Sequence, residues 1–384
     1  MISFDPPLAS APEGDARKRH LEYASLAGKL TVITTSPSGL PAEIPASEAL
    51  TILPTNTRSA LRFVPAALAA AGRISGKPDL IVTQDMFLTG LVGRRLKQRF
   101  NVPLLVQEHS FVLNNPAWVA EHPLRNRGLL LLAHQVLRSA DYVRAVASPS
   151  RADLQALGFP EDRIAILPLA TASADFASPV DPAVLAEYRA RLGIPEGAPV
   201  VLWVGRPVPF KRIPLLLAVF AKIAAQIPEA YFLMIGDFQE SAASINAAAA
   251  SSGISEKLKL FGPVLLEDLP PFYQLANVYL LSSSYEGVPR VLGEAASAGL
   301  PLVATGAGGI TDILVDGETG FYAPDDASVA QNLAEYTVRL LRDPELARQM
   351  GQAGQRHALT HFNAQGYPER WVKIWRQAVV AGIR

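Results

Sequence analysis

Two glutamates eight residues apart, Glu286 and Glu294 in EGVPRVLGE, are the side chains of this chain best placed to do chemistry. Between them Gly287 allows close backbone approach or a positive φ, and Pro289 suits the first turn of a helix. That places Glu286 in a loop, with Val288 beside the helix start and Glu294 one to two turns inside. The amides of Arg290, Val291 and Leu292 then lie at a helix N-terminus, where anions bind readily. Glu294 belongs to the apolar and small-residue run LGEAASAGLP, and a carboxylate there is costly unless something hydrogen-bonds it. Ribose hydroxyls fit that need; a helix carboxylate that reaches solvent is the alternative.

Upstream, in VLWVGRPVPFKRI (201–213), a strand ends at Gly205 and two cations, Arg206 and Lys211, follow in a loop. Cations so placed neutralise a diphosphate, unless the loop is merely solvated. Downstream, ATGAGGITDILVDGETGFYAPDD (304–326) carries Gly306, Gly308 and Gly309, with Thr311 where a dinucleotide fingerprint needs a third glycine. These glycines read as a loop lining the same site, and ETG before Phe321 reads as a turn leading into a short strand. No D-x-D occurs in the chain, whereas an ion-dependent diphosphate site usually needs carboxylates. Fixed cations and helix dipoles perform the same electrostatic work, so we expect neither metal nor cofactor.

These segments need strands and helices to position them. Short apolar runs alternate with helical ones: LTVIT (30–34), DLIVTQ (79–84), PLLVQE (103–108), YVRAVASP (142–149) and IAILP (164–168) in the first half. VVLWVG (200–205), YFLMIG (231–236), LKLFG (258–262), VYLLSS (278–283) and LPLVAT (300–305) follow in the second. Helical stretches are Ser59–Gly72, Phe87–Phe100, Ile213–Gln226 and Val291–Ala298. Nearly continuous apolar strands alternating with helices predict α/β architecture with parallel sheets. The proline-rich segment 176–199 has no strand pattern and reads as a linker with a lead-in helix. We therefore expect two doubly wound, Rossmann-like domains, 1–178 and 190–364. Ligands on such sheets sit at the strands' C-terminal ends.

A chain of 384 residues, 49% hydrophobic, has material for two cores. Its 35 basic residues balance 35 acidic ones, so no global field favours nucleic acid. The absence of cysteine excludes thiolate metal sites and cysteine nucleophiles and fits a reducing cytoplasm. The N-terminus lacks a signal-peptide pattern, and GLLLLA (128–133) falls short of a membrane span.

Together GRPVPFKR, the Glu286–Glu294 element, AGLPLVAT and GGITDILVDGETGFY resemble the GT-B glycosyltransferases of family 4, across nearly the whole chain. The resemblance implies two Rossmann-like domains facing across a cleft. It implies a retaining transfer of hexose from a GDP- or UDP-linked sugar to an acceptor hydroxyl, in envelope or exopolysaccharide assembly. By it Arg206 and Lys211 bind the donor diphosphate, Glu286 the transferred sugar and Glu294 the ribose. Gly205, Gly236, Gly287, Val288 and Pro289 shape the donor site, and Phe261, Gly262 and Val264 border the base.

EGDARKRHLEYASLAGKLTVIT resembles the family's first loop and helix, where Gly14 approaches donor phosphates or acceptor. Two features depart from the pattern. Glu13-Gly14 stands for a double glycine, and LPLATASADF (167–176) replaces the usual NG-containing turn. His109 in VQEHS either faces the cleft, as a catalytic or sugar-contacting histidine, or ends its strand without a role. Glu108 points the opposite way, because strand side chains alternate; Gln84 and Asp85 end another strand. HFNAQGYPERWVKIWRQAVV (361–380) resembles the family's terminal helix, crossing back onto the first domain over about 365–384.

GRRLKQR (93–99) places Arg94, Arg95, Lys97 and Arg99 on one helix. That face either docks on anionic lipid at the inner face of the cell membrane or is a solvated surface. Two rivals carry other functions: a non-catalytic nucleotide-sugar-binding or scaffolding protein on the same fold, and a nicotinamide-dependent dehydrogenase, which the broken glycine fingerprint disfavours.

Overall fold

A computed structural model describes residues 1–109, 111–171 and 174–382. The chain divides into two compact units, Met1–Pro168 with Gln365–Arg384, and Leu169–Ala364. The first holds β1 (Ile2–Ser3), β2 (Leu30–Thr34), β3 (Ile44–Pro45), β4 (Leu50–Pro54), β5 (Ile81–Thr83), β6 (Leu104–Glu108), β7 (Tyr142–Ala145) and β8 (Ile164–Ile166). They form one sheet in the order β3-β4-β2-β1-β5-β6-β7-β8, parallel except where β3 pairs antiparallel with β4. The short strand expected after the ETG turn is present at Gly320–Ala323, whereas β1, β3 and β4 were not among the strands read from the sequence. β1 and β3 have two residues each, and β4, LTILP, ends in proline.

The second unit holds β9 (Val200–Val204), β10 (Tyr231–Ile235), β11 (Leu258–Phe261), β12 (Val278–Leu281), β13 (Leu302–Thr305) and β14 (Gly320–Ala323), ordered β11-β10-β9-β12-β13-β14. Every pairing in this sheet is parallel. β9, β12 and β13 are buried along their whole length, as apolar runs without alternation require. The chain starts at β9, winds outward to β11, and returns to the other side of β9 as β12. The crevice at such a reversal, beyond the strands' C-terminal ends, is where doubly wound sheets bind ligands.

Helices cover both faces of the first sheet. On one face Ala60–Ala70, Leu88–Phe100 and Pro123–Leu137 bury Phe63, Ala67, Val92, Leu96, Ala133 and Val136 against Ile33, Leu53, Ile81, Leu104 and Val143. The other face receives Pro6–Ser10, Asp15–Ala27 and the C-terminal helix Tyr367–Ala381, through Leu8, Tyr23, Trp371 and Trp375. The terminal helix thus packs in the first unit although 196 residues of the second (169–364) separate it from Pro168.

The boundary between the units falls at Pro168 and not at 178, so the segment expected as linker belongs to the second unit. Packing decides this. Gln274 holds the segment through Phe176 O, Ser178 O and Val180 N, at 3.2, 2.7 and 2.9 Å. Phe176 meets Tyr273 edge-on at 5.3 Å, and Tyr188, on the lead-in helix Pro182–Leu192, meets Phe272 at 4.8 Å. Arg189 caps Pro195 O, Ala198 O and Leu275 O. Within the departing turn LPLATASADF, residues 172 and 173 lie outside the described ones.

Candidate functional site

The site in the second unit is built where β9 and β12 end. After β9 the chain passes Gly205 and the exposed Arg206, then makes a short 3-10 turn, Pro209–Lys211. After β12, Ser282–Tyr285 leads to Glu286. The two loops are pinned together: Ser284 N donates to Phe210 O at 2.8 Å, and Ser282 Oγ to Lys211 O at 2.8 Å. Arg212, in the left-handed region at φ 51°, turns its guanidinium onto Ser282 O at 2.6 Å and onto Asp325 Oδ1 at 2.6 Å. Arg212 was passed over in the sequence beside Lys211; its role is to clamp the reversal point.

Lys211 is buried and its ammonium pairs with Glu286 Oε1. Ser283 Oγ donates to the same oxygen at 2.8 Å, and Gly309 N reaches Glu286 O at 3.1 Å. Cation, carboxylate and the 306–309 glycine loop are therefore one assembly. Gly306 belongs there because a Cβ would lie 2.7 Å from the Tyr322 ring. Arg206 differs from Lys211: it is solvent-exposed, with no side-chain partner among the described residues.

Glu294 lies in the helix Arg290–Ser297, which follows Glu286 in the chain, and is only 4% exposed. Its Oε2 accepts from Tyr273 Oη at 2.8 Å. Burial raises its pKa above the ordinary carboxylate range, against the opposing pull of Tyr273 and Arg290. Tyr273 sits 21 residues away in sequence with no local signal to mark it. The helix begins at Pro289 as expected, and Leu292 N donates to Pro289 O at 3.1 Å. Hence Arg290 and Val291, not Leu292, carry the amides without an acceptor among the described residues. Gly287 has no positive φ, so the expected need for a left-handed residue there is not met. Val288 and Leu292 are buried in the helix seat, and Val291 is half-buried.

Contact requires glycine at one neighbouring strand end, Gly236, and crowds the other, Gly205. A Cβ on Gly236 would lie 2.0 Å from Gly205 O, and one on Gly205 would lie 3.2 Å from the Trp203 ring. Phe261, at the end of β11, stacks on Arg191 at 5.2 Å and accepts from Gly236 N through its carbonyl. Gly262 is exposed beyond it, and Val264 is half-buried.

In the first unit His109 follows β6. Its Nε2 is 3.1 Å from Gln107 Oε1 and 3.4 Å from Arg144 Nη1. Burial, and secondly Arg144, lowers its pKa to about 3, so the ring is neutral at physiological pH. Glu108 indeed turns the other way, accepting from Phe111 N at 2.6 Å and Ser150 Oγ at 2.7 Å. Gln84 Oε1 accepts from Ser3 Oγ at 2.9 Å, and Asp85 Oδ1 from Phe87 N at 2.6 Å, which makes both structural ties. Gly14 caps the helix Asp15–Ala27, where Arg17 N and Lys18 N donate to its carbonyl at 3.0 and 3.1 Å. On the basic helix, Lys97 is committed to Asp141 Oδ2 at 2.6 Å and Ser139 O at 2.9 Å. It is therefore not available to a membrane; Arg95 and Arg99 are exposed and Arg94 half-buried.

Two α/β units, the second with a carboxylate and a buried cation paired where its sheet order reverses, have the architecture of the GT-B class. Residues 185–357 match the family described as glycosyl transferases group 1, and residues 8–170 the glycosyl transferase 4-like domain. The chain belongs to the family 4 glycosyltransferases of GT-B fold. It is 30% identical to the D-inositol 3-phosphate glycosyltransferase of Streptomyces avermitilis over 304 residues, which span 76% of this chain and 63% of that protein. Among solved structures, sucrose-phosphate synthase from Thermosynechococcus elongatus is 25% identical with a TM-score of 0.77, covering 99% of this chain and 98% of that one. Anabaena HepE in complex with UDP and glucose shares the fold at 18% identity and a TM-score of 0.71, covering 98% of both chains.

Proposed function

We propose that this protein transfers a hexose from a GDP- or UDP-linked donor to an acceptor hydroxyl with retention, in assembling an envelope or exopolysaccharide glycan. The anomeric bond to the diphosphate breaks, a bond to the acceptor oxygen forms, and the acceptor proton leaves with the diphosphate. The observation that carries the reading is the Lys211–Glu286 pair at the β9/β12 reversal, with the buried Glu294 on the helix that follows. In this reading Lys211, with Arg206 and the free amides of Arg290 and Val291, stabilises the departing diphosphate. Glu286 holds the sugar, Glu294 the ribose hydroxyls, and the protein cations do the work otherwise left to a metal.

The HepE complex with UDP supports the uridine alternative, and the inositol phosphate enzymes support a polar acceptor. Incubation with UDP- and GDP-hexoses tests the reading: one donor should release free nucleoside diphosphate, and the anomeric coupling of the product should match the donor's. Excess chelator should leave the rate unchanged. No release from any donor would favour a non-catalytic binding protein.

For the partner we propose an anionic membrane surface, reached through the three-helix layer of the first unit. Helices 60–70, 88–100 and 123–137 contain no acidic residue, in a chain whose charges otherwise balance. Arg62, Arg95, Arg125 and Arg127 are exposed on them, together with Leu61, Leu124 and Leu131 at 93%, 89% and 66% exposure. Exposed leucines among cations are the composition that interfacial binding uses.

A further inference from the structure

Arg144 is 1% exposed, and no carboxylate lies within ion-pair distance of it among the described residues. A buried cation without a direct ion pair is expensive; Glu108 attracts it from a longer distance, and its immediate surroundings show how it is held. Nη2 donates to Leu167 O at 2.5 Å and to Tyr367 Oη at 2.8 Å, the guanidinium lies over the Trp371 ring at 5.2 Å, and Nε has no partner. Tyr367 and Trp371 both belong to the C-terminal helix.

The remaining nitrogen points at the histidine. Gln107 and Arg144 are paired in register between β6 and β7, and Nη1 is 3.1 Å from Gln107 Oε1. Arginine only donates, so the Gln107 atom facing it is the carbonyl oxygen, which settles the amide orientation. That oxygen is 3.1 Å from His109 Nε2. An oxygen accepts, so this contact puts the proton on Nε2 and leaves Nδ1 its lone pair; the approach of Arg144 Nη1 to the same nitrogen, which would need Nε2 as acceptor, is longer at 3.4 Å, and the shorter contact decides.

We propose that Arg144, held by the C-terminal helix, is a positioning residue: through Gln107 it locks His109 as the neutral Nε2–H tautomer, so that Nδ1 accepts a hydrogen bond from a sugar hydroxyl. The proposal rests on the reading that His109 touches substrate. His109 thereby serves as an acceptor and not as a proton donor. A second ring proton would set two cations 3.4 Å apart. The other charged group nearby, Glu108, is turned to Phe111 N and Ser150 Oγ; Tyr367 faces Arg144.

Nitrogen-15 NMR of histidine-labelled full-length protein tests it. His109 should show the neutral Nε2–H pattern, unchanged from pH 5 to 8. In Arg144→Met the Gln107 amide is no longer fixed, so the ring should show a mixture of the two neutral tautomers, its pKa rising but staying below about 6.5 because burial, the larger cause, remains. The kcat should fall while KM for the donor stays put; an undisturbed Nε2–H tautomer in this variant would overturn the positioning role. Gln107→Leu keeps the cation, so His109 should remain untitrated, lose its fixed tautomer and drop kcat about tenfold, the loss of one hydrogen bond. Wild-type His109 that titrates in this range, or carries its proton on Nδ1, overturns the proposal. A fixed Nε2–H tautomer with wild-type kcat in His109→Ala overturns the substrate role alone, which separates the two failures.

Discussion

Lys211 and Glu286, 75 residues apart, meet as an ion pair whose side chains are only 11% and 12% exposed. The pair closes the gap between the β9 and β12 loops, so the cation proposed for the diphosphate and the carboxylate proposed for the sugar hold each other in place. Removing one partner strands the other with little water. Lys211→Ala and Glu286→Ala should each cost about 3 kcal/mol in chemical unfolding. Lys211→Met combined with Glu286→Leu should recover most of that stability and none of the activity. Additive losses in the double variant would contradict the coupling.

Glu294 is buried at a cost in stability at neutral pH. Its folded pKa lies above the 4.5 of the unfolded chain, so the folded state binds the proton more tightly. Stability is therefore present below about pH 4.5 and is lost as pH rises through the folded pKa. Glu294→Gln should raise Tm at pH 7 and flatten its dependence above pH 4.5. It should weaken donor binding about ten- to hundredfold, because a hydrogen bond to a charged acceptor is lost. A lower Tm at pH 7 would contradict the account of its burial.

Gly236 has no room for a side chain: the obstructing atom is the backbone oxygen of Gly205, which cannot swing aside. Gly236→Ala should destabilise by about 1–3 kcal/mol and displace the loop carrying Arg206 and Lys211. Thermal unfolding with donor-affinity measurement checks both; wild-type affinity would show that the loop tolerates the shift.

The acid-free helical layer predicts flotation with vesicles of phosphatidylglycerol and not with neutral phosphatidylcholine, weakened by salt. Leu124→Ser with Leu131→Ser should abolish binding to the anionic vesicles without changing Tm. Lys97→Ala should affect stability through Asp141 more than binding. Equal flotation with both vesicle types would remove the electrostatic argument.

Much of the second unit and its candidate site was legible in the sequence because the signals are local. Unbroken apolar runs marked β9, β12 and β13, and Glu286, Pro289 and Glu294 share one loop and helix. What escaped depends on distant contacts. Tyr273 reaches Glu294, and Arg144 reaches Tyr367 across 223 residues, leaving no periodic trace. The allegiance of the helix Pro182–Leu192 is set by Phe272 and Leu275, so composition alone placed the boundary too late. Lys97 looked like a free cation because Asp141 lies 44 residues on.

The central claim is that Lys211, Glu286 and Glu294 form a nucleoside diphosphate sugar site, and release of free nucleoside diphosphate from UDP- and GDP-hexoses tests it most directly. Wild-type protein should release it from one donor class, and Lys211→Ala and Glu294→Ala, shown by circular dichroism to be folded, should fall about tenfold or more. Release at the wild-type rate by both variants, or from no donor by the wild-type protein, would contradict the account.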